Sequence, residues 1–255
     1  MDISVSYLWD SYYDDSMSAK PIISVSGLRG IVGECLTTEL IQNYTAAYLR
    51  FLDDARFSGP IILSRDGRKS GEAILEQIKS IVALDGRCSI DGGIMATPTV
   101  GIQIREQQAA GGLQITASHN PSPYNGLKLY SPIGRILNQT QGDQVLNFFH
   151  SGLAPNATQN NESFEIDSST LPNPHAIHIE KLLATVDAAA IRKQNFKVLL
   201  DSNHGAGSTL GLRLLTELGC QTVAIGDLPN GQFSHPPEPT AANLVDIASQ
   251  VRTPG

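Results

Sequence analysis

Charge is scarce in this chain and nowhere concentrated. Asp, Glu, Lys and Arg make up 17% of the residues, the formal net charge is −7, and no long run of Lys and Arg occurs. That balance argues against a non-specific nucleic-acid binder. Long hydrophobic runs are missing too: no stretch approaches the roughly 18 apolar residues that cross a bilayer, so no membrane span is expected. The opening residues, MDISVSYLWDSYYDDSMSAK, are acidic and lack a basic segment before an apolar core, so they do not read as a secretory leader. Cysteine is sparse: Cys35, Cys88 and Cys220 are far apart and form no CxxC pair. They read as small buried hydrophobes in a reducing compartment, which makes a cytoplasmic location the expectation.

What the chain does have is length and a repeating alternation of strand and helix patterns. Its 255 residues, 41% hydrophobic, can bury one large core or two ordinary ones. Residues 1–20 read as a polar extension. From Pro21 onward come strand patterns in PIISVSG, GPIILSRD, RCSIDGGI, GLQITAS and GLKLYSP. Between and after them lie helix patterns in LTTELIQNYTAAYLRFLDDA, the stretch after Ser70, TPTVGIQIREQQAA and QTQGDQVLNFFHSG. Ser70 is expected to cap its helix. Residues 151–174 turn polar, rich in Asn, Ser and Pro, as a domain boundary does.

A helix is expected at about 175–193, then a strand in FKVLLDSNHGAG, a helix in STLGLRLLTELG and a strand in QTVAIGDL. The fold expected is α/β, a mainly parallel mixed sheet flanked by helices. It divides into a first domain over 21–155, a linker at 156–172, and an incomplete second domain of the same class over 173–255. Two strands are too few for an independent sheet in the second unit.

The stretch LQITASHNPSPYNGLKLY, residues 113–130, departs from this routine. Parallel sheets bind ligands at the carboxyl ends of their strands, and Ser118 stands at such an end. His119 is adjacent in sequence, and neighbours on an extended segment point to opposite sides, so a Ser–His relay is disfavoured. No G-x-S-x-G elbow is present. The alternative is a serine that carries a phosphoryl group, which needs cations around it. Candidates are His119, Lys128, Arg29 in SGLRG, and Arg65, Arg68 and Lys69 in SRDGRKSG, all read as lying at or just after strand ends. The plainer reading makes Ser118 a turn residue, Asn125-Gly126 a turn and Lys128 a solvated strand residue.

TASHNPSPYNGLK resembles the active-site signature of the α-D-phosphohexomutases, the family of phosphoglucomutase, phosphomannomutase and phosphoglucosamine mutase. VSGLRGIVGE is similar to that family's N-terminal arginine loop, and SRDGRKSG, GIMATPTVGI and DSNHGAGS follow in the family's order. The likeness runs from about residue 21 to 245. It implies that Ser118 is a phosphoserine exchanging its phosphoryl group with a hexose phosphate through a bisphosphorylated sugar. It implies Mg²⁺ held by the phosphate on Ser118, Lys128 as general acid/base, His119 near the phosphoryl group and Arg29 neutralising it. Of the sugars, glucose and mannose phosphates are expected ahead of glucosamine phosphate.

The family's metal loop, Asp-x-Asp-x-Asp-Arg, has no counterpart in these 255 residues. The expectation is therefore a chain truncated before that loop, lacking a C-terminal half and inactive or nearly so by itself. A non-catalytic module that binds a sugar phosphate, or complements a separate chain, is the reading from another class. A dinucleotide-binding domain is disfavoured by the missing glycine fingerprint. His175 and His178 could begin a zinc site, but surface histidines are the expectation. DSNHGAGS reads as a tight strand-to-helix turn with Ser208 as a helix cap, and Asp227 and Glu238 have no partner that the sequence suggests.

Overall fold

The computed structural model describes residues 20–25, 27–152 and 168–252. The expected extension at 1–20 and most of the expected linker therefore lie outside the described residues. The first elements are β1 (Ile22–Ser24), β2 (Gly27–Ile31), α1 (Thr38–Asp54), β3 (Ile61–Arg65), α2 (Gly71–Leu84), β4 (Ser89–Ile94), α3 (Thr97–Glu106), β5 (Gly111–Ile115), β6 (Tyr124–Tyr130) and α4 (Gln139–His150). With β7 (Ser168–Thr170), the strands form one seven-stranded sheet in the order β1-β2-β6-β5-β3-β4-β7. Pairing is antiparallel from β1 through β2 and β6 to β5, and parallel from β5 through β3 and β4 to β7. β7 falls in the expected linker 156–172 and closes the sheet's far edge; three polar residues carry no apolar alternation to announce it.

Side chains alternate across this sheet as strand geometry requires. Leu28, Ile61, Leu63, Leu113, Ile115, Leu127 and Leu129 point to one face and pack with α1, α2 and α4. Ile62 and Tyr130 point to the other and pack with Met95 and with Val100 and Ile104 of α3. Tyr48 of α1 reaches the sheet with its hydroxyl, donating to Tyr130 O at 2.7 Å and accepting from Gly112 N at 2.8 Å. Helix starts follow capping rules. Thr37 Oγ1 accepts from Leu40 N ahead of α1, and Asn138 with Gln141 makes a capping box at α4. Ser70 stands at the N-cap of α2 but its hydroxyl makes no cap bond, being engaged by Asn125 Nδ2 at 2.9 Å.

The second region comprises α5 (Ala176–Leu183), α6 (Ala188–Gln194), β8 (Lys197–Asp201), α7 (Ser208–Glu217), β9 (Gln221–Ile225) and α8 (Val245–Arg252). The single helix expected at 175–193 is two, because Asp187 caps a fresh start by accepting from Ala190 N. β8 and β9 pair in parallel as a two-stranded sheet. The N-cap of α7 is Gly207, not Ser208, whose buried hydroxyl has no hydrogen-bond partner. The cysteines correct their expectation: Cys88 is exposed at the mouth of β4, and Cys35, in a turn, and Cys220, just ahead of β9, are half-buried. Among the described residues, no helix is long and apolar enough to cross a membrane.

Candidate active site

β5 ends at Ile115 and the chain leaves the sheet through a tight turn. Ser118 N donates to Thr116 Oγ1 at 3.0 Å, and Ser118 adopts a left-handed φ of 58°. A non-glycine residue in that region is strained and has to be held there by its surroundings. The result is that Ala117 is buried while Ser118 and His119 are exposed. The serine hydroxyl is thus offered to solvent.

Two of the expected cations do not lie at strand ends. Gly27–Ile31 is a strand, not a loop: Arg29 stands in the middle of β2 and Lys128 within β6. Asn125-Gly126 likewise lies within β6 and makes no turn. In register, Arg29 is opposite Gly126, and Lys128 is opposite Gln114. Residues two apart on a strand share a face, so Arg29 and Lys128 are diagonal neighbours on one face of the sheet. Gly126 makes this possible. A Cβ there would stand 2.1 Å from Leu28 O and 3.1 Å from Arg29 Cγ. The glycine lets the strands close and the arginine side chain lie across β6.

Arg29 also reaches the serine loop, its Nη1 donating to Asn120 Oδ1 at 3.4 Å. Lys128 is half-buried, and burial first, then the Arg29 charge, pushes its amine below the ordinary lysine range; Asp66 pulls weakly the other way. On the same sheet face, Gln114 donates to Met95 O and accepts from the Tyr130 hydroxyl. Those bonds fix the residue opposite Lys128.

The basic loop SRDGRKSG contributes differently from its sequence reading. Arg68 is 4% exposed and turned inward, bonded to backbone carbonyls of the serine loop and to Asp66. Its donors are taken up inside the protein and do not face solvent. Sequence reasoning missed that placement, since nothing in the spacing says that a loop arginine will find carbonyls fifty residues on. His175 and His178 are also not surface histidines: both are buried, with Nδ1 atoms 3.4 and 2.8 Å from Thr99 Oγ1. One hydroxyl can donate to one ring and accept from the other only while the ring that accepts is neutral.

The donor set does not fit a magnesium ion. Among the described residues no group of three or more His, Cys, Asp or Glu could hold a metal. Asp66 is paired with Arg68 at 3.0 Å. A phosphate on Ser118 would supply one oxygen ligand, short of the octahedral shell that Mg²⁺ demands.

Comparison with known proteins gives the site its relatives. The family model for phosphoglucomutase/phosphomannomutase, alpha/beta/alpha domain I, matches residues 21–154, and that for domain II matches residues 176–255. A phosphoglucomutase/phosphomannomutase of Thermococcus kodakarensis is 35% identical over 231 residues, 90% of this chain and 50% of its own length. A probable phosphoglucosamine mutase of Methanothermobacter thermautotrophicus is 30% identical, with 92% of this chain and 50% of its own length covered. Among solved structures, a putative phosphomannomutase from Thermus thermophilus superposes with a TM-score of 0.78 at 25% identity, covering 93% of this chain and 54% of that one. The chain thus spans about half the length of the curated relatives it matches.

Proposed function

The chain belongs to the phosphoglucomutase/phosphomannomutase family, and from that premise we propose that Ser118 is the residue that carries a phosphoryl group to and from a hexose phosphate. The transfer has two halves. In the first, a sugar hydroxyl oxygen attacks the phosphorus on Ser118 Oγ and its proton passes to the neutral amine of Lys128. The P–Oγ bond breaks, and Oγ leaves with the electron pair and is reprotonated from His119 or solvent. In the second, Oγ gives a proton back by the same route and attacks the other phosphate of the bisphosphorylated sugar. The freed sugar oxygen takes its proton from the Lys128 ammonium. Arg29 neutralises the phosphoryl oxygens, for which its planar fork suits it better than a lysine. Most of the acceleration comes from positioning and charge, since the protein forms few bonds itself.

The observation that carries this reading is the strand pair. Arg29 and Lys128 share one face of β2–β6 across Gly126, and Arg29 bonds the loop that exposes Ser118. Burial, and after it the Arg29 charge, lowers the Lys128 pKa, as a proton acceptor needs. Glucose and mannose phosphates are the proposed substrates, in line with the 35% identical relative; the 30% identical one favours glucosamine phosphate as the second reading.

Mg²⁺, when bound, neutralises charge on the phosphate oxygens. The described residues offer no cluster of carboxylates for it, and the 255 residues by themselves are proposed to be inactive or nearly so as a mutase. Rates in the ordinary enzyme range of about 1–10³ s⁻¹ on glucose 1-phosphate with Mg²⁺ would contradict that. The phosphoserine itself is tested by intact mass after incubation with a hexose 1,6-bisphosphate. One phosphoryl adduct is expected, absent in Ser118→Ala. No adduct under any condition favours a non-catalytic sugar-phosphate-binding module.

A further inference from the structure

Arg68 spends every donor it has. Nε donates to Asp66 Oδ2 at 3.0 Å. Nη1 donates to Pro121 O and Tyr124 O, both at 3.1 Å. Nη2 donates to Ser118 O at 3.1 Å and Asn120 O at 2.8 Å. Five N–H bonds thus leave one guanidinium, four of them for carbonyls of the serine loop and of Tyr124 at the start of β6. Asp66 holds the arginine from behind, accepting from its backbone N at 3.1 Å as well. The loop needs such a template. Pro121 and Pro123 bring no N–H, and Ser118 holds a left-handed φ that a serine does not favour.

The template is closed from the second region. The Phe233 ring lies with its centroid 5.0 Å from Arg68 Cζ. Behind it the backbones touch: a Cβ on Gly67 would meet Pro229 O at 2.1 Å. Nothing larger than glycine at 67 lets the 229–233 segment come down onto Arg68.

We propose that Arg68 is a positioning residue for Ser118. Its carbonyl bonds fix the turn that holds the serine hydroxyl outward, and Phe233 caps the guanidinium, so the second region sets the order of the serine loop. The consequence for phosphoryl transfer rests on the reading of Ser118 given above; the positional claim stands apart from it. Lysine cannot substitute, because a compact ammonium has three donors and no fork to span four carbonyls.

Two variants that preserve charge test this in the 255-residue chain: Arg68→Lys and Phe233→Ala. The first readout is the backbone NMR order parameter at Ser118, with Ser64 and Ser131 as internal references. The second is the rate at which Ser118 takes up phosphoryl from a hexose 1,6-bisphosphate, followed by intact mass. The wild-type serine is expected near the rigid value of about 0.85, and in Arg68→Lys below about 0.6 while the reference serines hold. Phosphoryl uptake slows at least tenfold in that variant, and Phe233→Ala moves both readouts in the same direction by less. A merely structural arginine would move the thermal midpoint and all three serines together.

A folded Arg68→Lys in which Ser118 stays as ordered as wild type and loads as fast overturns the proposal. Should that variant fail to fold, Phe233→Ala decides by the same criterion. If the wild-type chain takes no phosphoryl at all, the phosphoserine reading is what fails, and the order parameter alone judges the position of Ser118.

Discussion

In the seven-stranded sheet every residue of β5 is buried, and β3 is buried up to its last residue. On β9, by contrast, Val223 is 65% exposed, and Phe196 at the entrance to β8 is 50% exposed. Among the described residues, Ile179 is the only fully buried apolar side chain beyond Val145. The first region therefore owns its core, and the second leans on it. It does so through α5 and its N-cap, where His175, His178 and Ile179 are buried beside α3, and through Phe233 on Arg68. The sugar-phosphate chemistry proposed here belongs to the self-sufficient region, while the other region bears on the loop from outside. A rigid sheet that presents a reactive group and a loosely held neighbour that adjusts it are separable, and variants can separate them.

The largest effect should come from striking the first region. Gly126→Val puts atoms where Leu28 O already lies 2.1 Å from a bare Cβ. It should cost about 3 kcal/mol or more, seen as an early urea transition of the seven-stranded sheet. A smaller effect should follow from Thr99→Val. It leaves two buried imidazoles without their shared hydroxyl, at about 1–3 kcal/mol. Hydrogen exchange should show α5 opening while β3, β5 and β6 stay protected; equal loss in both regions would end the division drawn above.

Much of this architecture is legible in the sequence, and the rest is hidden for physical reasons. Apolar runs such as Ile61–Leu63 announce buried strands, whereas the caps expected at Ser70 and Ser208 fail, since Ser70 makes no cap bond and Ser208 lies inside α7. β2 was missed because two glycines and an arginine hide its alternation; those glycines are there for close strand approach, which no propensity records. The same concealment moved Arg29 and Lys128 from an expected rim to mid-strand positions. The inward turn of Arg68 and the burial of His175 and His178 depend on partners fifty to eighty residues away. Local pattern cannot carry that information.

The gentlest probe is pH, and it splits the histidines by sign. Burial lowers His175 and His178, so above the unfolded value of about 6.5 their docking is intact. As pH falls through the window below about 6.5 the unfolded chain binds more protons, and the α5 attachment weakens. Burial works against a charge on His235, yet the Pro236 carbonyl and the Asp201 carboxylate outweigh it and raise its pKa. Its contribution is full below about 6.5 and is lost as pH rises through that raised value. Exchange measured at mildly acid and mildly alkaline pH should loosen α5 in the first case and the β8 carboxyl end in the second.

Everything proposed for Ser118 depends on the β2–β6 pair turning a lysine into a proton acceptor. NMR titration of a selectively labelled Lys128 side chain measures that without any turnover. The predicted result is a midpoint below the ordinary lysine value of about 10.4, moving back up in Arg29→Met. A Lys128 that titrates at the ordinary lysine value, and ignores the loss of Arg29, would contradict it.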